Sequence, residues 1–226
     1  MHIPRRFHFI WVDGSPPLPD IFREFTQTWT NLHPGWEAVW WHNVPEQLGG
    51  LVNQDIWDRA ERICPKAVGQ LRSDIARYEI LLREGGVYLD VDFECLKSIE
   101  PLIEDVECFC AWEIQNQVAN NAILGATPGH PFFQRLVDDL PERVRTHPKR
   151  WPAQMTGPHY LTSRLTPDVT VFDRAMFYAI GCTELDRLGE PYGPDEWARH
   201  YWNNQHRKKN RPLPGEIGAW VFGRQS

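Results

Sequence analysis

Long apolar runs are absent from this sequence of 226 residues, and its N-terminus does not read as a signal peptide. A membrane-spanning helix needs about 20 consecutive apolar residues. Met1 to Arg6 leads instead straight into a short apolar segment. We therefore expect a soluble, cytoplasmic protein without a transmembrane segment. A peripheral contact with a membrane is compatible with this expectation.

Cysteines are few, and their spacing is not that of a disulfide framework. The five thiols are odd in number and scattered, and no C-x-x-C pair suggests a structural zinc site; they are Cys64, Cys95, Cys108, Cys110 and Cys182. We expect free thiols in a reducing compartment.

An excess of positive charge is also missing. The chain has 24 Lys and Arg against 30 Asp and Glu, which gives a formal net charge of −6. Proteins that neutralise the phosphates of a nucleic acid need the opposite balance, so nucleic acid is not an expected partner. The length and the ordinary balance of apolar and charged residues favour one globular domain over residues 1–226.

Strand and helix patterns alternate along the chain. Segments rich in aromatic and β-branched residues predict strands, and apolar residues at helical spacing predict helices between them. The predicted strands cover residues 6–12, 36–42, 87–92, 106–112 and 118–125, and the predicted helices cover residues 18–32, 53–63, 66–84 and 130–144. The pattern predicts an α/β domain.

Two aspartates, Asp90 and Asp92, are two residues apart at the end of predicted strand 87–92. On a strand, both carboxylates would leave the same face, about 7 Å apart. Mg²⁺ and Mn²⁺ prefer oxygen ligands and commonly use one or two carboxylates together with substrate phosphates. Unpaired carboxylates on a buried strand are costly, and ligands of α/β sheets bind at the carboxyl ends of strands. The pattern favours a metal site over an exposed acidic turn.

The helix before this strand contains Asp74 and Arg77, three residues apart on one face. This spacing is typical of a surface ion pair. The same geometry would let Arg77 bind a phosphate or sugar oxygen while Asp74 accepts a sugar hydroxyl. Spacing alone favours the ion pair.

The two motifs form one longer block, Ser73-Asp74-x-x-Arg77-Tyr78-x-Ile80-Leu81-x-x-x-Gly85-Gly86-x-Tyr88-x-Asp90-x-Asp92. This block resembles the signature of the glycosyltransferases of the DXD sugar-binding-motif family. That family includes yeast-type α-1,6-mannosyltransferases and bacterial capsular enzymes, and it is similar in its core to the clostridial glucosylating toxins. Further segments resemble other family blocks: Ile3 to Val12, Asn120-Asn121-Ala122, His130-Pro131 and Thr156-Gly157-Pro158.

The resemblance implies a GT-A fold, a Rossmann-like sandwich with a central mixed sheet and helices on both sides. It implies retaining transfer of a hexose from a UDP- or GDP-sugar donor to a saccharide or glycolipid acceptor, with Mn²⁺ or Mg²⁺ as cofactor. Surface-polysaccharide biosynthesis is one setting for such an enzyme. A metal-dependent phosphohydrolase and a non-catalytic sugar-binding module are the alternative functions.

The resemblance also assigns roles by position. Asp90, Asp92 and Arg77 would be catalytic, and Asp90 and Asp92 would bind the metal together with His200. His200 comes from the best match to the C-terminal family block, in which Asn204 and His206 are competing ligands. The donor would contact Trp11, Ser73, Asp74, Arg77, Tyr88, Asp90, Asn121 and Trp202. Trp11 would stack on the base, although a core position in the first strand is equally compatible.

Two further expectations concern less regular parts of the sequence. Glu113 and Asn121 are candidates for the surroundings of the anomeric carbon. Residues 191–226 are irregular but rich in aromatic residues, so we expect them to pack across the domain rather than to be solvated. We predict that they form a lid over the donor site, for which a packed structural tail is the alternative.

Overall fold

The computed structural model describes residues 2–12, 17–148 and 151–202. Its strands are β1 (Arg6–Ile10), β2 (Glu37–Trp41), β3 (Gly86–Leu89), β4 (Phe93–Cys95), β5 (Cys108–Ile114), β6 (Val118–Ala126), β7 (Thr170–Phe172) and β8 (Ala198–His200). Six of them form one sheet in the order β2-β1-β3-β6-β5-β7, and β4 pairs with β8 in a separate two-stranded sheet.

The helices of the described ranges differ widely in length. The three long ones are α1 (Asp20–Leu32), α5 (Val68–Glu84) and α7 (Pro131–Thr146). The short ones are α2 (Val44–Gln47), α3 (Gln54–Asp58), α4 (Ala60–Ile63), α6 (Glu100–Ile103), α8 (Pro152–Met155), α9 (Pro158–Thr162) and α10 (Arg174–Phe177), and a 3-10 turn covers Leu185–Arg187.

The large sheet is mixed. Strand β1 is parallel to both β2 and β3, whereas β6 runs antiparallel to β3 and to β5, and β7 is parallel to β5. Helix α1 connects the parallel pair β1 and β2, and a hairpin connects the antiparallel pair β5 and β6. The predicted α/β fold with a central mixed sheet is confirmed.

Each face of the sheet is covered by a separate apolar core. On one face, α5 and α7 pack against the sheet through residues such as Ile75, Tyr78 and Leu136. On the other face, α1 contributes Phe22, Phe25 and Trp29 to a core that also contains β4 and β8. The result is a helix–sheet–helix sandwich, in which the sheet is buried on both sides.

The predicted long elements other than helix 53–63 are present, with shifted ends. Strand 87–92 is the important correction: the strand ends at Leu89, and Asp90 and Asp92 lie in the turn between β3 and β4. Predicted helix 53–63 is also wrong as one element, because it is interrupted at Arg59, whose ψ is 7°. Strands β4, β7 and β8 and most of the short helices were not predicted, since elements of three to five residues are too short to show a period.

The junction between α5 and β3 depends on two glycines. Gly85 and Gly86 have φ values of 63° and 88°, in the region that residues with a side chain rarely adopt. A Cβ on Gly85 would lie 2.8 Å from the backbone oxygen of Ala126 and 2.6 Å from the ring of Pro128. The close approach of this turn to the β6–α7 connection therefore requires glycine.

His8 fastens the same junction to β1. Its Nε2 donates to the Gly85 carbonyl oxygen at 2.8 Å, and its Nδ1 accepts from the Trp41 indole at 3.0 Å. Burial lowers the pKa of His8 to about 4, so the imidazole is neutral at physiological pH. The start of the strand that leads to Asp90 is thereby held by two neighbouring strands.

No helix within the described part of the chain is long and apolar enough to cross a membrane.

Replacing Gly85 by alanine should cost roughly 3 kcal/mol of unfolding free energy, because a left-handed backbone cost adds to the contacts with Ala126 and Pro128. Gly49 is the matched control, since its φ is 69° and a Cβ there meets no atom within 4 Å. Gly49→Ala should cost only about 1 kcal/mol. Urea denaturation measures both changes, and equal losses would contradict the role given to the Gly85 contacts.

Candidate active site

A cleft of about 500 Å³ opens where β1 and β3 end. Segments from both cores and from α5 meet there, which is where open α/β sheets bind ligands. The cleft is lined by every site residue predicted from the sequence and located in the described ranges: Trp11, Ser73, Asp74, Arg77, Tyr88, Asp90, Asp92, Asn121, His200 and Trp202. Their individual roles remain predictions.

Asp90, Asp92 and His200 form a three-residue cluster at one wall of the cleft. One potential ligand atom from each residue lies within 4.8 Å of the other two. His200 Nε2 is 3.1 Å from Asp92 Oδ1 and 3.9 Å from Asp90 Oδ2. Two carboxylates and an imidazole are a donor set that suits Mn²⁺ or another divalent cation. The residues present therefore fit the predicted metal.

His200 reaches this cluster because β8 pairs with β4 immediately after the turn. Phe93 is opposite His200 in the antiparallel register, and the Tyr201 amide donates to the Asp92 carbonyl oxygen at 2.9 Å. His200 Nδ1 is buried and has no hydrogen-bond partner within the described residues. The Nε2 side of the ring is therefore the side that the cluster uses.

Polar side chains hold β8 in this position. The Glu94 carboxylate accepts from the hydroxyls of Tyr201 at 2.8 Å and Tyr192 at 3.0 Å. Arg199 is buried and forms an ion pair with buried Glu196 at 2.7 Å. Glu94 thus attaches residues 192–202 to the domain, and the Arg199–Glu196 pair stabilises that segment internally. The lid predicted for residues 191–226 remains a prediction, since most of it lies outside the described residues.

Arg77 lies at the centre of a second group of polar residues, on the helix side of the cleft. The side chain is 4% exposed, and Nη1 is 3.1 Å from Asp90 Oδ1. Nη1 also donates to the Asn121 carbonyl oxygen at 2.5 Å, and Nη2 donates to Ser73 Oγ at 2.9 Å. The guanidinium lies 4.4 Å from the Tyr88 ring centroid. These contacts fix a positive charge beside the aspartate pair.

Asp74 is bonded inside the protein rather than open to the cleft. It is 2% exposed; Oδ1 accepts from Asn121 Nδ2 at 2.9 Å, and Oδ2 accepts from Thr156 Oγ1 at 2.7 Å. Arg77 Nη2 is 3.4 Å from Oδ1. The ion pair favoured by spacing is therefore present, but it is buried rather than at the surface. Each partner holds the other in position.

Burial and charge shift the pKa values of this group in ways that match the geometry. Burial raises the pKa of Asp74 to about 6 even though Arg77 opposes the shift. The pKa of Asp90 is also raised, first by burial and then by the charge of Asp92. Burial lowers the pKa of His200, but the charges of Asp92 and Asp90 outweigh it, and the net shift is upward. Negative charge accumulates at this wall of the cleft, where a cation would offset it.

Two tryptophans border opposite parts of the cleft. Trp11 is half-buried directly after β1 and contacts the Phe22 ring edge-on at 6.3 Å. Trp202 is buried, packs edge-on against His200 at 4.3 Å and donates from its indole to the Ile180 carbonyl oxygen at 2.9 Å. Its φ is 55°, an uncommon conformation for a bulky residue. Both indoles are placed to contact a ligand in the cleft.

Other cleft residues were missed or carry no sequence signal. Asn120 is one of them: its amide Nδ2 donates to Glu113 Oε2 at 2.8 Å, while its Oδ1 accepts from the Ala122 amide. Cys182 and His159 also line the cleft. No motif distinguishes Cys182 and His159 from other residues, whereas Asn120 belongs to the Asn120-Asn121-Ala122 block but was not predicted as a site residue. Asn204 and His206, the competing metal ligands, lie outside the described residues.

A mixed α/β sandwich with an aspartate pair directly after its central strand β3 is the arrangement expected for the predicted GT-A fold. The family model described as "Glycosyltransferase sugar-binding region containing DXD motif" matches residues 19–109. The predicted resemblance is confirmed over these residues, which match the model of the DXD-motif family.

Curated relatives agree with this class. An uncharacterized glycosyltransferase of Acanthamoeba polyphaga mimivirus is 27% identical over 151 residues, which are 61% of this chain and 55% of the relative. Inositol phosphoceramide mannosyltransferase 3 of Schizosaccharomyces pombe is 27% identical over 164 residues, which are 71% of this chain and 44% of the relative. The chain thus spans about half the length of these curated relatives.

Solved structures support the fold. The PaToxG glycosyltransferase has a TM-score of 0.56 at 15% identity, over 72% of this chain and 69% of its own. The galactosyltransferase LgtC, solved with donor and acceptor sugar analogs, has a TM-score of 0.52 at 9% identity and covers 98% of this chain and 96% of its own. At these identities the likeness concerns the fold alone.

The cluster predicts how Mn²⁺ binding responds to substitution. His200→Ala should weaken Mn²⁺ binding roughly 10- to 100-fold, because the cluster loses one donor of three. Isothermal titration calorimetry with Mn²⁺ alone measures the change. His147→Ala, a histidine of the α7 C-terminus, should leave the affinity unchanged. Equal affinities of the wild type and a folded His200→Ala variant would exclude His200 as a ligand.

Proposed function

We propose that this chain transfers a hexose from a UDP- or GDP-sugar to a saccharide or glycolipid acceptor, with retention of configuration. The observation that supports this most directly is the convergence of Asp90, Asp92 and His200 beside the buried cation of Arg77. A nucleotide-sugar carries a negatively charged diphosphate, which Arg77 and a bound cation would neutralise. The diphosphate is also the leaving group, on which negative charge builds during transfer.

Asp90, Asp92 and His200 would hold Mn²⁺ or Mg²⁺. When bound, the cation would neutralise negative charge on the leaving diphosphate. Arg77 would add its own charge from the side of α5. Because its guanidinium is already bonded to Ser73, Asn121 and Asp90, this charge is preorganised and does not have to be oriented during the reaction.

The remaining cleft residues would position the donor. Trp11 would stack on the base, while Tyr88, Ser73 and Trp202 would border the diphosphate. Asp74 would accept a hydrogen bond from a sugar hydroxyl. It would also act indirectly, because it holds both Arg77 and Asn121 in position. Tyr88 donates from its hydroxyl to Asp90 Oδ1 at 2.5 Å, which orients that carboxylate.

Retention is proposed as a same-face substitution. In such a reaction the acceptor hydroxyl attacks from the side on which the diphosphate leaves, and the leaving phosphate oxygen takes its proton. No separate acid is then needed at the leaving oxygen, and the role of the chain is to hold both partners and to stabilise charge.

The names of the curated relatives support the proposed acceptor class. Two of them are named inositol phosphoceramide mannosyltransferase, and another is named mannosyl phosphorylinositol ceramide synthase. We therefore include a glycolipid among the proposed acceptors, together with a saccharide of a surface polysaccharide. A cytoplasmic location is proposed because the number and spacing of the five cysteines are not those of a disulfide framework.

The two alternative functions have less support. A phosphohydrolase would need further acidic ligands or a nucleophile, and within the described residues Asp90, Asp92 and His200 are the one group of three that could hold a metal. A sugar-binding module would not need a metal site at all. The same assay separates the three: glycosyl transfer or donor hydrolysis, release of phosphate from monoesters, or neither.

Asp92→Asn should abolish turnover, with a loss of at least about 100-fold, because it weakens a metal ligand at nearly constant side-chain volume. Release of nucleoside diphosphate from UDP- and GDP-sugars in the presence of Mn²⁺ measures it. Asp105→Asn changes an exposed carboxylate and should retain full activity. Wild-type turnover by a folded Asp92→Asn protein would exclude the metal role.

Trp11→Ala should weaken the binding of UDP or GDP by roughly 10-fold, because a stacked base contributes about 1–3 kcal/mol to binding. Calorimetry in the presence of Mn²⁺ measures the affinity. Trp151→Ala serves as the control, since Trp151 is 49% exposed and does not line the cleft. If Trp11→Ala lowered stability but not affinity, Trp11 would be a core residue.

A further inference from the structure

We propose that Glu113 accepts hydrogen bonds from hydroxyl groups of the donor hexose and so contributes to the choice of sugar. This inference rests on the proposed function, and it adds a sugar-contacting residue at the far side of the cleft. Its support is the order of the strands, the local geometry of Glu113 and the chemistry of an ionised carboxylate.

The strand order arranges the parts of a donor along the sheet. Trp11 follows β1, Asp90 follows β3, Asn121 lies on β6 and Glu113 lies on β5. These strands are consecutive neighbours in the sheet. With about 4.8 Å between strands, β1 and β5 are roughly 14 Å apart. A donor with its base at Trp11 and its diphosphate at Asp90 would extend its sugar over β6 and β5.

A β-bulge turns Glu113 toward the cleft. Trp112 pairs with Ala119 and Ile114 pairs with Val118, so Glu113 is an extra residue without a partner in the ladder. Bulges beside active sites commonly redirect one side chain. Glu113 lines the cleft as a result.

The Glu113 carboxylate is oriented, yet it keeps acceptor capacity. Asn120 Nδ2 donates to Oε2 at 2.8 Å, and Asn120 is itself fixed by the Ala122 amide. Within the described part of the chain, the Asn120 amide is the one hydrogen-bond partner of the Glu113 side chain. Oε1 is therefore available to accept from a ligand. An ionised carboxylate only accepts hydrogen bonds, which suits sugar hydroxyls and disfavours a phosphate.

This chemistry predicts a selective effect on affinity. A residue that contacts the sugar alone matters for a nucleotide-sugar but not for the corresponding nucleoside diphosphate. A site built to bond a hydroxyl also discriminates strongly against ligands without it. A residue with a purely structural role would instead affect both ligands alike.

The test is calorimetry on the purified chain with Mn²⁺, using UDP with UDP-glucose and GDP with GDP-mannose. For whichever pair the wild type binds, Glu113→Ala should weaken nucleotide-sugar binding roughly tenfold or more and change nucleoside diphosphate binding by less than about twofold. Glu113→Gln should give a smaller loss with the same selectivity, because its amide oxygen still accepts from Asn120. Glu24→Gln, an exposed change on α1, should alter neither affinity.

Distinct outcomes overturn the two proposals. Equal weakening of both ligands by the Glu113 variants would make the residue structural, and unchanged binding of the nucleotide-sugar would remove it from the sugar site. Either result would leave the proposed function intact. A wild-type protein that binds neither nucleoside diphosphates nor nucleotide-sugars would overturn the proposed function and this inference with it.

Discussion

The pairing of β4 with β8 is the interaction on which the candidate site depends. It brings His200 beside Asp92, a residue 108 positions earlier in the chain, with only three residues in each strand. Such a short ladder provides few hydrogen bonds of its own. Buried Glu94 adds hydrogen bonds from the hydroxyls of Tyr201 and Tyr192, and the Arg199–Glu196 ion pair stabilises the β8 segment internally. The candidate metal cluster is thus assembled by tertiary packing around a sheet of two three-residue strands.

A buried cation couples this cluster to the rest of the sandwich. Arg77 contacts Asp90 of the β3–β4 turn, Asn121 of β6 and Asp74 of its own helix. Asp74 in turn accepts from Thr156, which precedes α9. Charges that are buried this deeply are costly unless each one is paired and bonded. The same contacts that make the burial tolerable fix the guanidinium beside the aspartates, so stability and site geometry have a common origin.

Much of this arrangement could be predicted from the sequence. Helix α5 is long and periodic, its end is marked by Gly85, and the aspartate pair follows at a fixed distance. These are local signals, and each was read correctly apart from the end of the strand. The error at Asp90 arose because Val91 continues the alternation of Val87 and Leu89 and packs in the same core, although the backbone has already left the ladder.

The features that could not be predicted depend on distant pairing or on one inserted residue. Strand β8 is too short to show a period, and its partner is a hundred residues away, so only the resemblance suggested His200. The bulge at Glu113 is visible only from the register of β5 against β6. The spacing of Asp74 and Arg77 predicts a surface ion pair, and only the structure shows that Asn121 and Thr156 bury Asp74.

The long sequence separation of the cluster has a consequence for how the protein matures. Aspartates 90 and 92 are synthesised well before His200, and the third donor arrives only after β8 has emerged from the ribosome and docked on β4. An incomplete chain would bind the cation weakly, whereas the folded domain would bind it with all three donors. By mass action, a cation that binds mainly the folded state would stabilise the finished domain more than its precursors. A bound metal would then indicate that folding is complete. Only chains in which β8 has docked on β4 would bind the donor.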